Sequence, residues 1–214
     1  MTITVVSASY GDYDTPKPPP PGCDRAVMFT DGDAPPGWEK ADHSPATLPP
    51  RWRSKGPKAA PHLYGITDDV VIWVDASLRP TGESVRALAD MVPHGEYVGT
   101  FKHRWRDCIL DEAVESEKLR RYAGEQIVRQ ARHYLEEEGH PRHGGLYETG
   151  ILVWRPCTMS EAIGEAWLAE MLAWSSQDQV SFPFAVGDFG PVVLPGSSVV
   201  NAWFQWEQHK VVDW

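Results

Sequence analysis

A chain of 214 residues, 42% hydrophobic and 23% charged, has the composition of a globular protein with enough apolar material to close a core, and its length suits one domain over 1–214. Its net charge of -10, from 20 Lys+Arg against 30 Asp+Glu, repels phosphate backbones and anionic membranes, which argues against extended nucleic acid and membranes as default partners. No apolar run approaches the roughly 20 residues of a membrane span.

In chain order, residues 3–8 read as a first strand rather than a signal peptide, because they lack both a basic leader and a long apolar core. A cytoplasmic location is the expectation. A second strand is expected at 25–30. Two Pro-rich stretches, 15–22 and 35–61, read as loops, since proline cannot donate to a sheet, and as a rim over a cleft. Residues 70–74, Val-Val-Ile-Trp-Val, form a β-branched apolar run of the kind found in a buried central strand. Further strands are expected at 97–101, 150–154 and 191–194.

Helices are expected from Thr81 to about 91 and from Ser160 to about 174. The longest candidate covers 110–138, where Leu119, Tyr122, Ala123, Ile127, Ala131, Tyr134 and Leu135 recur at helical spacing, with Gly124 as an interruption and Glu117 placed to pair with Arg121. Strands alternating with helices indicate an α/β sandwich with a largely parallel central sheet. Trp73 and Trp154 are core candidates among ten tryptophans. Cys23, Cys108 and Cys157 are odd in number and widely spaced, so they read as reduced thiols.

Open α/β sheets bind ligands beyond the carboxyl ends of their strands, which puts Asp75 and Ser77 where a ligand or metal would sit. The competing reading is a turn in which the aspartate caps its own backbone. The first strand ends in Ser-Ala-Ser-Tyr-Gly-Asp, including Ala8 and Tyr10, and the second ends at Asp31. Both place polar and aromatic groups where a base and ribose would bind. Lys102, His103, Arg104 and Arg106 make a basic cluster suited to a diphosphate or an anionic sugar, with Asp107 or Asp111 as alternative partners of Arg106.

Taken together, Trp-Val-Asp at the end of the central strand, Lys58 and His62 upstream of it, His-Arg-Trp-Arg-Asp-Cys-Ile from His103, Gly-Leu-Tyr-Glu-Thr-Gly ending at Gly150, and Ser-Gln-Asp-Gln-Val-Ser-Phe from Ser176 resemble, over about 5–185, a glycosyltransferase-like family once catalogued as a domain of unknown function. Its plant members include pectin galacturonosyltransferases. The resemblance implies a GT-A, nucleotide-sugar-binding fold, a nucleoside-diphosphate sugar as donor, and manganese or magnesium. It places Ala8, Tyr10, Asp31, Lys58, His62, His103 and Arg104 at the donor. Ser176 departs from it, standing where many relatives carry arginine.

A metal on the diphosphate stabilises the charge that grows on the leaving group. Asp75 and Ser77 are the expected oxygen ligands, and His209 matches the C-terminal histidine that completes many GT-A metal shells. Asp178 is the acid expected beside the reacting sugar, as a base in an inverting enzyme or as a stabiliser of the cationic ring in a retaining one. Glu148, between Gly145 and Gly150, is the second.

The expected activity is metal-dependent transfer of a sugar to a hydroxyl of a glycan or a protein, with a nucleic acid acceptor less favoured. A nucleotidyltransferase is disfavoured because the first strand-end loop has only Gly11 where a phosphate loop needs several glycines. A non-catalytic sugar-binding module is disfavoured because both acids are present. Donor sugar, stereochemistry and oligomeric state are left open.

Overall fold

The computed structural model describes residues 1–42 and 45–209. In chain order its elements are β1 (Ile3–Ser9), β2 (Arg25–Thr30), β3 (Glu39–Ala41), α1 (Pro50–Arg53), α2 (Lys55–Ala59), β4 (Val70–Val74), β5 (Leu78–Pro80), α3 (Val85–Asp90), β6 (Val98–Lys102), α4 (Ile109–Glu117), α5 (Ile127–Glu136), β7 (Tyr147–Trp154), α6 (Thr158–Ala173), α7 (Asp178–Val186), β8 (Val192–Leu194) and β9 (Phe204–Trp206). Short 3-10 turns lie at Pro61–Tyr64, Arg120–Tyr122 and Gly187–Phe189.

Seven strands form one sheet in the order β3-β2-β1-β4-β7-β6-β8. Neighbours from β3 to β4 run parallel, as do β6 and β8, whereas β7 is antiparallel to β4 and β6. The sheet is therefore mixed and largely parallel. β4 is buried along its whole length, which explains why it reads as a continuous apolar run rather than an alternating one. Its residues still alternate between faces. Val70, Ile72 and Val74 join Ile3, Val5 and Leu88 in the core beneath α3. Val71 and Trp73 pack on the opposite side with Trp154, Trp167 and Phe182, beneath α6 and α7. A third apolar cluster, including Ile109, Ala113, Ile127 and Tyr134, joins α4 and α5 to Val180 of α7.

The single helix expected over 110–138 is two helices. Apolar spacing runs through the break, but α4 stops at Glu117 and the backbone is non-helical at Leu119 and Ala123, before Gly124 at φ +85° adds a left-handed turn. Glu117 is the last residue of α4, so the four-residue spacing to Arg121 no longer places the two on one helical face. Arg121 instead lies over the Tyr122 ring at 5.1 Å.

The stretch 35–61, expected to be loop, contains β3, α1 and α2. Its prolines sit where a helix tolerates them: Pro50 is the first residue of α1 and Pro57 the third of α2, positions whose amide has no intrahelical acceptor. The helix expected from Thr81 starts at Val85, because Ser84 accepts from the Arg86 amide and provides the cap. The Thr81 hydroxyl donates to the carbonyl of Ala202 instead. Ser160 stands inside α6 rather than before it, donating to the Cys157 carbonyl and accepting from the Cys157 amide at 2.9 Å.

β5 and β9 form a separate two-stranded ribbon with Leu78 opposite Trp206. It continues past β9, where the Glu207 amide donates to the Ser77 carbonyl at 2.8 Å. Trp73 and Trp154 are buried as expected, and all three cysteines are free thiols. No helix among the described residues is long and apolar enough to cross a membrane.

Candidate functional site

A cavity of about 970 Å³, within the range of small-ligand sites, opens beyond the carboxyl ends of β1 and β4. Ala8 and Tyr10 line one part of it, Asp75 and Ser77 the floor, and Glu148, Thr149 and Gly150 of β7 another side. α1 and α2 contribute Arg51, Lys55 and Lys58, and the start of α7 contributes Asp178. Pro49 and Pro50 edge the cavity, so the second Pro-rich stretch forms a rim. Residues 15–22 are not part of this lining.

Asp75 follows the last residue of β4. The turn there is closed by backbone, the Leu78 amide donating to the Asp75 carbonyl at 2.9 Å, so the carboxylate is not spent on capping. Oδ1 accepts from the Trp73 indole at 2.7 Å and from Lys58 Nζ at 3.3 Å. Oδ2 lies against Gly150, where a Cβ would stand 3.3 Å from it. The missing side chain keeps that oxygen approachable.

Asp178 is buried, and its carboxylate is fully engaged. Oδ2 accepts from Lys58 at 2.6 Å and Lys55 at 2.8 Å, and Oδ1 accepts from the Thr149 hydroxyl at 3.0 Å. It makes no helix-cap bond. Burial opposes its ionisation, but the Lys55 and Lys58 ammoniums hold its pKa well below the usual carboxylate range. The two lysines respond differently. Burial prevails for Lys55 and lowers its pKa, while for Lys58 burial is outweighed by Asp178 and Asp75 together, which raise it. The second carboxylate, within reach of Lys58 at 3.3 Å, accounts for the difference.

Glu148 is also saturated. Oε1 accepts from Arg104 Nε at 2.6 Å, and Oε2 from the Ser198 amide at 2.7 Å and the Ser197 and Ser198 hydroxyls. Burial raises its pKa, but the Ser198, Arg104 and Ser197 hydrogen bonds prevail and lower it. The basic segment after β6 is similarly anchored. Arg106 donates to Glu112 at 2.7 Å rather than to Asp107 or Asp111, and Asp107 pairs with His143. Glu112 also accepts from Gln177 at 2.9 Å, which ties the segment to the residue before Asp178. His103 lines the cavity; burial lowers its pKa and favours the neutral ring.

His209 lines the same cavity as Asp75 and Ser77. Its Nδ1 pairs with Asp14 Oδ1 at 2.7 Å, and its ring packs on Tyr13 at 4.7 Å. A metal-binding histidine commonly uses its second nitrogen on a carboxylate in this way. The oxygens of Asp75 and Ser77 are of the type that manganese or magnesium prefers. Among the described residues no three His, Cys, Asp or Glu side chains converge as a ready-made metal cluster.

Two expected donor contacts lie elsewhere. His62, within the Pro61–Tyr64 3-10 turn, pairs with Glu165 of α6 at 2.9 Å and is not among the cavity-lining residues. Asp31 stands behind the wall. It accepts from the Gly11 amide at 3.1 Å and from Arg53 at 2.8 Å, and the Arg53 guanidinium covers the Tyr10 ring at 4.0 Å. Sequence reasoning missed Lys55. Its signal is the Lys-x-x-Lys spacing of Lys55 and Lys58, which puts both ammoniums on one helical face. At Ser176 a guanidinium comes from Arg51, whose Nη1 lies 3.5 Å from the hydroxyl.

The model of the TOD1/MUCI70, glycosyltransferase-like domain matches residues 50–202, most of the chain and all of the segment holding Lys55, Lys58, Asp75, Glu148 and Asp178. The chain belongs to this family. The family match includes neither Ala8 and Tyr10 nor His209. Among solved structures, the apo structure of the bifunctional glycosyltransferase WbbM is similar to this TOD1/MUCI70 domain at a TM-score of 0.53 and 13% identity, over 91% of this chain and 39% of that one. The galactosyltransferase LgtC in complex with donor and acceptor sugar analogs matches at 0.46 and 12% identity, over 83% and 68% of the two chains. An active-site mutant of LgtC matches at 0.45 and 11% identity, over 85% and 69%. No curated protein matches the chain. The fold is a GT-A-like sandwich, and this chain spans well under half the length of WbbM.

Proposed function

We propose that residues 1–214 act as one metal-dependent glycosyltransferase domain that moves a sugar from a nucleoside diphosphate to a hydroxyl of a glycan or a protein. The observation that carries this reading is the Lys55–Lys58–Asp178–Asp75 array within a cavity large enough for a sugar nucleotide. That Ala8 and His209 border one cavity supports treating both ends of the chain as parts of one domain.

In this reading Ala8 and Tyr10 receive the nucleoside, and Asp75, Ser77 and His209 hold the ion, which when bound neutralises charge on the departing diphosphate. Asp178 stands near the sugar. A carboxylate bonded to two ammoniums is a poor proton acceptor, which argues against general-base chemistry, and Lys55 and Lys58 offset its charge, so it acts by fixing the two ammoniums in place. Glu148, with both oxygens occupied, positions Arg104 and the 197–198 turn rather than acting on substrate. Lys58, joining both aspartates, keeps their spacing fixed before substrate arrives. His103 and Arg104 face the donor from the segment after β6.

The test is release of free sugar from a panel of nucleotide sugars with manganese and no acceptor, followed by chromatography. Slow, metal-dependent hydrolysis of one donor is expected. Binding without hydrolysis across the panel would indicate a sugar-binding module instead.

A further inference from the structure

The cations around the cavity are not all neutralised. Lys55 and Lys58 meet Asp178, Arg104 meets Glu148, and Arg106 meets Glu112. Arg51 and Arg121 are different. The nearest carboxylate to Arg51 is Glu125 at 3.8 Å, and Glu125 is already accepting from the Ser176 amide at 2.6 Å and hydroxyl at 2.8 Å. Burial opposes the Arg121 charge, the phenols of Tyr122 and Tyr13 favour it, and among the described residues Arg121 forms no ion pair with a carboxylate.

The two arginines are built as a pair. Arg51 projects from α1 and donates to the Arg121 carbonyl, joining α1 to the segment between α4 and α5. Both guanidiniums lie over the Tyr122 ring, at 4.6 and 5.1 Å. Stacking through the guanidinium face leaves in-plane N–H groups for an anion. Placing like charges side by side is unfavourable without such a partner. Arg51, Arg121, Tyr122 and Tyr13 all line the cavity, and Tyr13 packs on His209 at 4.7 Å. The pair therefore stands one aromatic ring away from the candidate metal ligand.

We propose that Arg51 and Arg121 form a diphosphate clamp, binding phosphoryl oxygens of the donor and taking up the further negative charge that the diphosphate gains as it leaves. One divalent ion balances the diphosphate of a sugar nucleotide but not that added charge, and guanidinium forks match phosphate oxygens in pairs. The proposal rests on the nucleotide-sugar reading above and adds to it a cationic subsite contributed by the Pro-rich rim and the segment between α4 and α5.

The test is calorimetric titration of the full chain with inorganic pyrophosphate, UDP and GDP, each with manganese, for wild type, Arg121→Ala, Arg121→Lys and the Arg51→Ala/Arg121→Ala pair. Arg121→Ala removes an exposed side chain, and melting curves check that each variant is folded. Losing a charge-assisted contact should weaken diphosphate binding by about tenfold or more. Arg121→Lys should recover only part of the loss, and the salt dependence of affinity should flatten in the double variant. Wild-type binding with unchanged affinity in the folded double variant would overturn the clamp alone, including the case in which only transfer to an anionic acceptor is impaired. Failure of wild type to bind any of the diphosphates would overturn the clamp and the nucleotide-sugar reading together.

Discussion

Asp75 and Asp178 are joined by one lysine but are built in opposite ways. Asp75 ends a strand, its side chain is 41% exposed, and one oxygen is left beside a glycine. Asp178 begins a helix, its side chain is 9% exposed, and every bond to it comes from within the protein. An acid with an available oxygen is suited to taking a ligand. An acid whose oxygens are all engaged is suited to holding a charge in place, and its removal disturbs the protein before it disturbs a ligand.

The largest expected effect comes from breaking the closed side. Asp178→Asn leaves two buried ammoniums sharing a weaker acceptor, so stability should fall by about 3 kcal/mol, and turnover on a donor sugar should drop on the order of a hundredfold. Chemical denaturation and steady-state kinetics measure the two losses. Asp75→Ala should act mainly on the open side: manganese-dependent binding of nucleoside diphosphate is lost, and stability falls by less than in Asp178→Asn, because the Trp73 indole and Lys58 each lose one acceptor. If Asp75→Ala proves the more destabilising of the two, the contrast between open and closed acids is wrong.

A smaller effect separates the histidines from both acids. Burial lowers the pKa of His103 and His140 from the usual 6.5. Histidines depressed on folding bind protons more readily in the unfolded chain, so stability is full above that value and declines as pH falls through it. The depressed acids, Asp178 and Glu148, keep their contributions until pH drops below the unfolded carboxylate range near 4. Denaturation midpoints should therefore decline between about pH 7 and pH 5, with the same slope in Asp178→Asn as in wild type. The smallest effect is at His62. His62→Ala removes a pair with a Glu165 whose side chain is 55% exposed, so it should leave donor affinity and turnover at wild-type values. A clear rise in KM for donor would bring His62 back to the site.

What the sequence shows depends on where each signal originates. β4 is legible because burial on both faces demands an unbroken β-branched run, and Asp75 is legible because it ends that run. Asp178 and Glu148 emerge from family resemblance, and both reach the cavity. Three-residue strands such as β3, β5 and β9 are too short to show a period, and pairing rather than composition defines them. Lys55 is hidden by the prolines around it, which suggest loop until their positions at helix starts are known. His62 and Asp31 show the opposite case. Each lies beside a motif or strand end, but Glu165 in one case and Arg53 in the other takes up the side chain, and neither lines the cavity.

The β5–β9 ribbon bears on how the site opens. Ser77 precedes β5 and His209 follows β9, both at the same end of the antiparallel ribbon. A two-stranded ribbon is marginal by itself, and this one is not hydrogen-bonded into the seven-stranded sheet. Under native conditions it should separate as a unit before the large sheet does. Amides of Thr81 and Glu207, which donate across the ribbon to the carbonyls of Trp203 and Ser77, should then exchange with solvent faster than those of Ile72 and Val153. Each such opening would draw Ser77 and His209 apart while Asp75 stays at the end of β4, which would widen the cavity on that side.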